Sequence, residues 1–163
     1  MSKLLYTGLL VILLGACKPS AAYESPIKEL LQSDQVRTYA FYPSTLRMVN
    51  IANNDEIDSM ASDINKLLIF RLDSTAIAKK KHLKIPDQYQ SLGFEEYLTI
   101  DGGKARAALF GLSETRTSTL VGYWSATDET FAFYINGNID WMKLPDIMEA
   151  FQDGEIANIL SPN

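Results

Sequence analysis

The chain has 163 residues, 47% of them hydrophobic and 21% charged, with a formal net charge of −5. It is long enough for one domain and too apolar for wholesale disorder. A single cysteine and a single histidine exclude an intramolecular disulfide framework, a zinc site of Cys and His ligands lacks donors, and the acidic balance argues against a general nucleic-acid binder.

The first seventeen residues carry the strongest signal. Lys3 is followed by an almost wholly apolar run from Leu4 to Leu14, interrupted by Thr7 and Gly8. The run is too short for a stable bilayer-spanning helix, which needs about 20 residues, and fits the apolar region of a secretory signal peptide. It ends in Leu14-Gly15-Ala16-Cys17, which resembles the bacterial lipobox: a branched apolar residue, two small residues that fit a narrow peptidase cleft, then the cysteine whose thiolate accepts a diacylglycerol. The expected organisation is therefore a signal peptide over 1–16, a lipidated tether over 17–25, one domain over 26–153 and a tail over 154–163. Each buried methylene of the acyl chains contributes about 0.8 kcal/mol, so two or three chains anchor the protein to a membrane without threading it. Lys18, in place of an acidic residue directly after Cys17, favours sorting to the outer membrane of a bacterial envelope.

Within the domain, Ile27, Leu30 and Leu31 have helical spacing and predict a short helix over 26–33. Val36 to Tyr42 reads as a strand that Pro43 ends, with Ser44 capping a short helix through Leu46, Met48 and Val49. Asn53, Asn54 and Asp55 open an amphipathic helix carrying Ile57, Met60, Ile64 and Leu67, and the apolar run Leu67–Leu72 predicts a central strand. Residues 74–98 read as polar and helical, broken near Pro86, and Asp101-Gly102-Gly103 as a turn. Three strands follow, over 104–111, 119–126 and 130–136, the last two joined as a hairpin through Asp128 and Glu129. Leu144, Ile147, Met148 and Phe151 predict a closing helix stopped by Gly154. The order implies an α+β fold: a mostly antiparallel sheet of about five strands with helices packed on one face.

The run Gly93-Phe94-Glu95-Glu96-Tyr97-Leu98, then Asp101-Gly102-Gly103-Lys104, and the later Phe133-Tyr134-Ile135-Asn136-Gly137-Asn138-Ile139-Asp140 resemble recurring stretches of one family, the bacterial lipoproteins grouped as domain of unknown function 4252. Tyr42-Pro43-Ser44-Thr45-Leu46 is similar to that family's opening strand–helix unit, and the resemblance covers about residues 36–152. It implies an envelope lipoprotein with an α+β domain and carries over no catalytic residue.

The residues themselves point to no catalytic centre, metal or cofactor. His82 sits in Lys79-Lys80-Lys81-His82, which reads as a solvated basic face whose lysines depress the histidine's proton affinity, and no Gly-x-Ser-x-Gly elbow accompanies it. The acidic cluster Asp55, Glu56, Asp58 and Asp63 reads as first-turn residues favouring a helix dipole and lacks calcium-loop spacing. Asn136-Gly137-Asn138-Ile139-Asp140 lacks the closing glutamate of such a loop, and Gly102-Gly103-Lys104 lacks the spacing of a P-loop. Glu95, Glu96, Asp101 and Asp128 are the carboxylates from which a paired-carboxylate hydrolase, the alternative reading, would be built. The preferred reading is a non-catalytic binding or scaffolding module, held to the membrane by its N-terminal lipid. Its speculative contact surface is the aromatic set Tyr123, Trp124 and Tyr134, and its partner an envelope protein or glycan.

Overall fold

The computed structural model describes residues 21–32, 36–49, 62–103, 105–113, 118–127 and 129–139. The signal region, most of the helix expected from Asn53, and the closing helix through Phe151 lie outside these residues.

In chain order the elements are α1 (Ala21–Leu31), β1 (Val36–Phe41), α2 (Pro43–Val49), β2 (Ile64–Leu72), α3 (Ser74–Ala78), a 3-10 turn (Lys81–Lys84), α4 (Ile85–Gln90), β3 (Glu95–Asp101), β4 (Ala105–Ser113), β5 (Ser118–Ala126) and β6 (Thr130–Gly137). The strands form one sheet in the order β1-β2-β6-β5-β4-β3, every neighbouring pair antiparallel. The fold is α+β as expected, with six strands where five were expected. The additional strand is β3. It lies at the sheet edge with mostly exposed side chains, and an irregularity between Glu96 and Leu98 breaks its two-residue alternation.

Each apolar strand supplies both faces of the sheet. In β2, Leu67, Leu68, Ile69 and Phe70 are all buried, so successive residues need a core on either side. Leu68, Phe70, Phe110, Val121, Tyr123, Ala132 and Tyr134 meet α1, α3 and α4 through Tyr23, Ile27, Leu31, Ala76, Ile85 and Tyr89. Leu67, Ile69, Leu109, Leu120, Phe133 and Ile135 form a second core with Leu46 of α2 and Ile139. The helices are thus not confined to one face: α2 delivers Leu46 to the side opposite α1.

Local chemistry accounts for the other departures. Helix α1 starts at Ala21, so residues 21–25 are helical where a tether was expected. Tyr23, Ile27 and Leu31, four residues apart, form one buried stripe that carries the helix through Pro26. The bond that the proline removes is offset by this burial and by Glu24, which accepts from Lys66 Nζ at 2.8 and 2.7 Å and pairs with Lys28. Helix α2 begins on Pro43 itself, with Leu46 N donating to the Tyr42 carbonyl at 2.9 Å, so Tyr42 and not Ser44 precedes the helix. Proline at a first helical position sacrifices no intrahelical bond. Ile64 and Leu67 belong to β2 rather than to a helix; a strand buried on both faces satisfies apolar residues at helical spacing as well. Pro86 stands at the start of α4, where the expected break is a helix beginning.

Candidate functional site

The strand register sorts the aromatic set. Tyr123 lies opposite Ala132 and Ala108, and Tyr134 opposite Val121 and Leu68, all on the helix-covered face. Tyr134 is 1% exposed and Tyr123 8%, so neither offers a contact surface. Trp124 points the other way and is half-buried, directly opposite Phe131 on β6 and Ala107 on β4. Of the three aromatics expected to form a surface, the structure keeps only Trp124 accessible. It pairs that residue with Phe131.

Extending the row across the sheet reaches two arginines. Phe131 is opposite Arg71 on β2, and Arg71 is opposite Arg37 on β1. The row on the second face therefore runs Arg37, Arg71, Phe131, Trp124, Ala107, Ile100. Arg37 is exposed; Arg71, Phe131, Trp124 and Ile100 are half-buried. The Arg71 guanidinium donates to Glu129 Oε1 at 3.1 Å, which offsets one of the two charges. Like charges directly opposite on paired strands destabilise a sheet, so this pair is a costly placement on structural grounds alone. Chemically the row offers a cationic end suited to carboxylate or phosphate and an aromatic shelf suited to a flat apolar surface.

At the same end of the sheet, on the hairpin turns, an open cleft of about 420 Å³ is lined by Asp101, Gly102, Gly103, Arg106, Ser125 and Thr127, among others. The Asp101 carboxylate accepts from Arg106 Nε at 2.9 Å, and Ser125 and Thr130 share a hydroxyl hydrogen bond of 2.8 Å. Of the carboxylates that a hydrolase would draw on, Asp101 is the one that lines this cleft among the described residues. Glu95 and Asp101 stand at opposite ends of β3, about 20 Å apart at the rise of an extended strand, and Glu95 and Glu96 are exposed on the edge. Asp128 lies outside the described residues. A general acid and its partner need roughly 5–10 Å.

The remaining candidates fall as follows. Leu14, Gly15, Ala16, Cys17, Asp55, Glu56, Asp58, Lys104 and Asp140 lie outside the described residues. Asn136 is buried in β6 and donates to Thr119 Oγ1 at 3.1 Å, and Asn138 N donates to the Asp63 carbonyl at 2.7 Å, so this stretch ties the sheet to the entry of β2. No group of three or more His, Cys, Asp or Glu side chains among the described residues is arranged to hold a metal ion, and no helix among them is long and apolar enough to cross a membrane.

His82 departs most from expectation. It is not on a solvated face but 4% exposed, with its ring edge-on to Tyr123 at 5.3 Å between centroids. Burial holds its imidazole below the ordinary histidine value; the adjacent lysines are not the cause. Lys79, Lys80 and Lys84 are exposed while His82 turns inward, a division that the tripeptide of lysines before it conceals.

Compared with known proteins, the chain matches no family model, and no curated protein or solved structure shows significant similarity to it.

Proposed function

We propose that this chain is a lipid-anchored protein of the bacterial cell envelope whose domain is a non-catalytic binding or scaffolding module. Cys17 carries the lipid after cleavage of the signal that ends in Leu14-Gly15-Ala16, the outer membrane is the favoured site, and the domain faces the periplasm or the cell surface. The lipobox-like motif and the resemblance to the lipoproteins of domain of unknown function 4252 support the anchor. One observation carries the binding role: Trp124 and Phe131 sit opposite each other, partly exposed, in line with Arg71 and Arg37. The partner is an envelope protein or glycan that presents carboxylates to the guanidinium groups and a flat apolar surface to the rings.

The test is a photo-crosslinking amino acid placed at position 124 in cells, with the exposed Thr99 on the other face as control position. The expected result is a discrete adduct from 124, absent from 99 and reduced several-fold by Arg37→Glu. Equal labelling from both positions would overturn the reading. Intact mass of the envelope-extracted protein checks the anchor separately: residues 17–163 plus acyl-glyceryl additions are expected, and a Cys17→Ser variant that still partitions with membranes after high-salt washing would remove the lipid assignment.

A further inference from the structure

Among the buried side-chain nitrogen and oxygen atoms of the described residues, Nδ1 of His82 has no hydrogen-bond partner. An imidazole in that position is tolerable while neutral. With its proton on Nε2, Nδ1 shows only an unused lone pair; a second proton would create a charged N–H donor facing no acceptor. The ring rests on Tyr123, whose cross-strand neighbours are Ala108 and Ala132. These small side chains flank the tyrosine and leave room above the sheet for a turn to seat.

The segment holding His82 is seated at a local backbone cost. It is entered through Lys80, the non-glycine residue with positive φ among the described residues, at 52°. Left-handed backbone costs a residue with a Cβ free energy that the seated conformation must offset. Lys79, Lys80 and Lys84 already face solvent and Lys81 is half-buried, so the apolar surface that lifting uncovers on the segment itself is that of His82 and of Leu83, which packs against the core.

The charged surroundings do not offer the imidazole a counter-ion. The turn packs against α1, α3 and α4 as well as β5. On α1, Glu24 is engaged by Lys28 and Lys66, and Lys28 and Glu29 are exposed. Asp73, which caps α3, accepts from Ala76 N. On α4, Asp87 is exposed and the Tyr89 hydroxyl donates to the Tyr23 carbonyl. From β5 comes Tyr123, near the Asp101–Arg106 pair. The turn itself adds Lys81 and Lys84. Burial alone accounts for the direction in which His82 is displaced from the ordinary value of 6.5.

We propose that His82 is a proton-operated latch: gaining a proton in mildly acidic medium lifts the Lys79–Lys84 segment off Tyr123 while the six-stranded sheet stays paired. The sign follows from linkage. The open segment has an ordinary histidine and the closed one a histidine of lower proton affinity, so closure is strongest above about pH 6.5 and weakens as pH falls below it.

His82 is the single histidine of the chain, so its ring proton gives one titrating resonance. The experiment combines that titration with amide hydrogen exchange on the full chain, corrected for intrinsic rates, at pH 7.5 and 5.5. The ring is expected to titrate below 6.5, and protection of residues 79–84 is expected to fall about tenfold, the limit for one linked proton across that interval. Protection in β2, β5 and β6 stays well above that of the segment at both pH values, which marks the opening as local. His82→Phe removes the titrating group and is expected to abolish the change. The wild-type measurement stands by itself should that variant fold poorly. A ring that titrates at the free value, a segment whose protection ignores pH, or a segment as strongly protected as the sheet each overturns the latch.

Discussion

Phe133 lays the tip of its ring over Gly122, the residue directly opposite it on the neighbouring strand. A Cβ at position 122 would lie 2.8 Å from Phe133 Cζ and, below it, 2.3 Å from the Ala108 carbonyl oxygen. Tyr97 covers Gly111 on β4 in the same way. On the second face, then, two strands give up side chains so that aromatic rings from their neighbours can lie flat. That arrangement keeps the centre of the face thin and leaves Trp124 and Phe131 as the next relief along β5 and β6.

Gly122→Ala is expected to destabilise the domain by roughly 1–3 kcal/mol, the usual range for forcing an extra methyl into a packed site. The phenyl ring could rotate away, but the Ala108 oxygen belongs to the backbone of a paired strand and cannot. Urea denaturation reads the change as a lower midpoint with an unchanged slope. A midpoint within error of the wild type would mean that the two strands do not approach this closely.

The strands β4, β5 and β6 were legible because their apolar residues alternate or run continuously between clear turn residues, and because hairpins pair neighbours in sequence. Alternation along a strand sets Tyr123 against Trp124 and Tyr134 against Phe133 on opposite faces, as the register has them. What it could not say is which face the helices cover, and that choice hid Tyr123 and Tyr134 and left Trp124 accessible. The arginines were missed because Arg37 and Arg71 are distant in sequence and meet only through the β1–β2 register. Strand β3 was missed because an exposed edge needs no apolar alternation, and its irregularity removes what there is. His82 was misread because its neighbours are lysines; its inward turn follows from one left-handed residue, Lys80, which no local propensity marks. The lipobox signal lies outside the described residues and rests on the sequence.

Tyr89 joins α4 to α1. Its ring is fully buried, edge-on to Phe94 at 4.9 Å, and its hydroxyl donates to the Tyr23 carbonyl at 2.6 Å. Tyr89→Phe keeps the ring and removes the donor, so a loss of about 1 kcal/mol is expected. Burial pushes the phenol far above its ordinary value of 10.0. The folded state holds this proton where the unfolded chain releases it, so the contribution is present below pH 10 and lost as pH rises above it. Wild type should therefore exceed Tyr89→Phe near neutrality and lose that advantage as pH rises above 10. A wild-type advantage that grows with alkaline pH would contradict the buried hydroxyl.

Glu24 fastens α1 to β2 through Lys66 and sets a second, lower acid limit on the fold. Burial pushes its carboxyl up, but the hydrogen bonds from Lys28 and Lys66 outweigh that and hold it below its ordinary value of 4.5. Lys66 responds in the opposite sense: burial lowers its proton affinity, and the facing carboxylate more than restores it. A depressed carboxyl contributes stability that is full above the unfolded value and lost as pH falls through the folded one. Glu24→Gln should lower stability near pH 7 by about 1 kcal/mol, because a partly buried Lys66 then lacks its counter-charge. The gap between variant and wild type should close as pH drops below 4.5. The His82 effect begins near 6.5 and is untouched by Glu24→Gln, so urea midpoints measured from pH 7.5 to 3 separate the two groups by window. Glu24→Gln flattens only the lower part of the curve, and His82→Phe only the upper part. A Glu24→Gln curve parallel to the wild type down to pH 3 would show that the Lys66 pairing contributes nothing to holding α1 on the sheet.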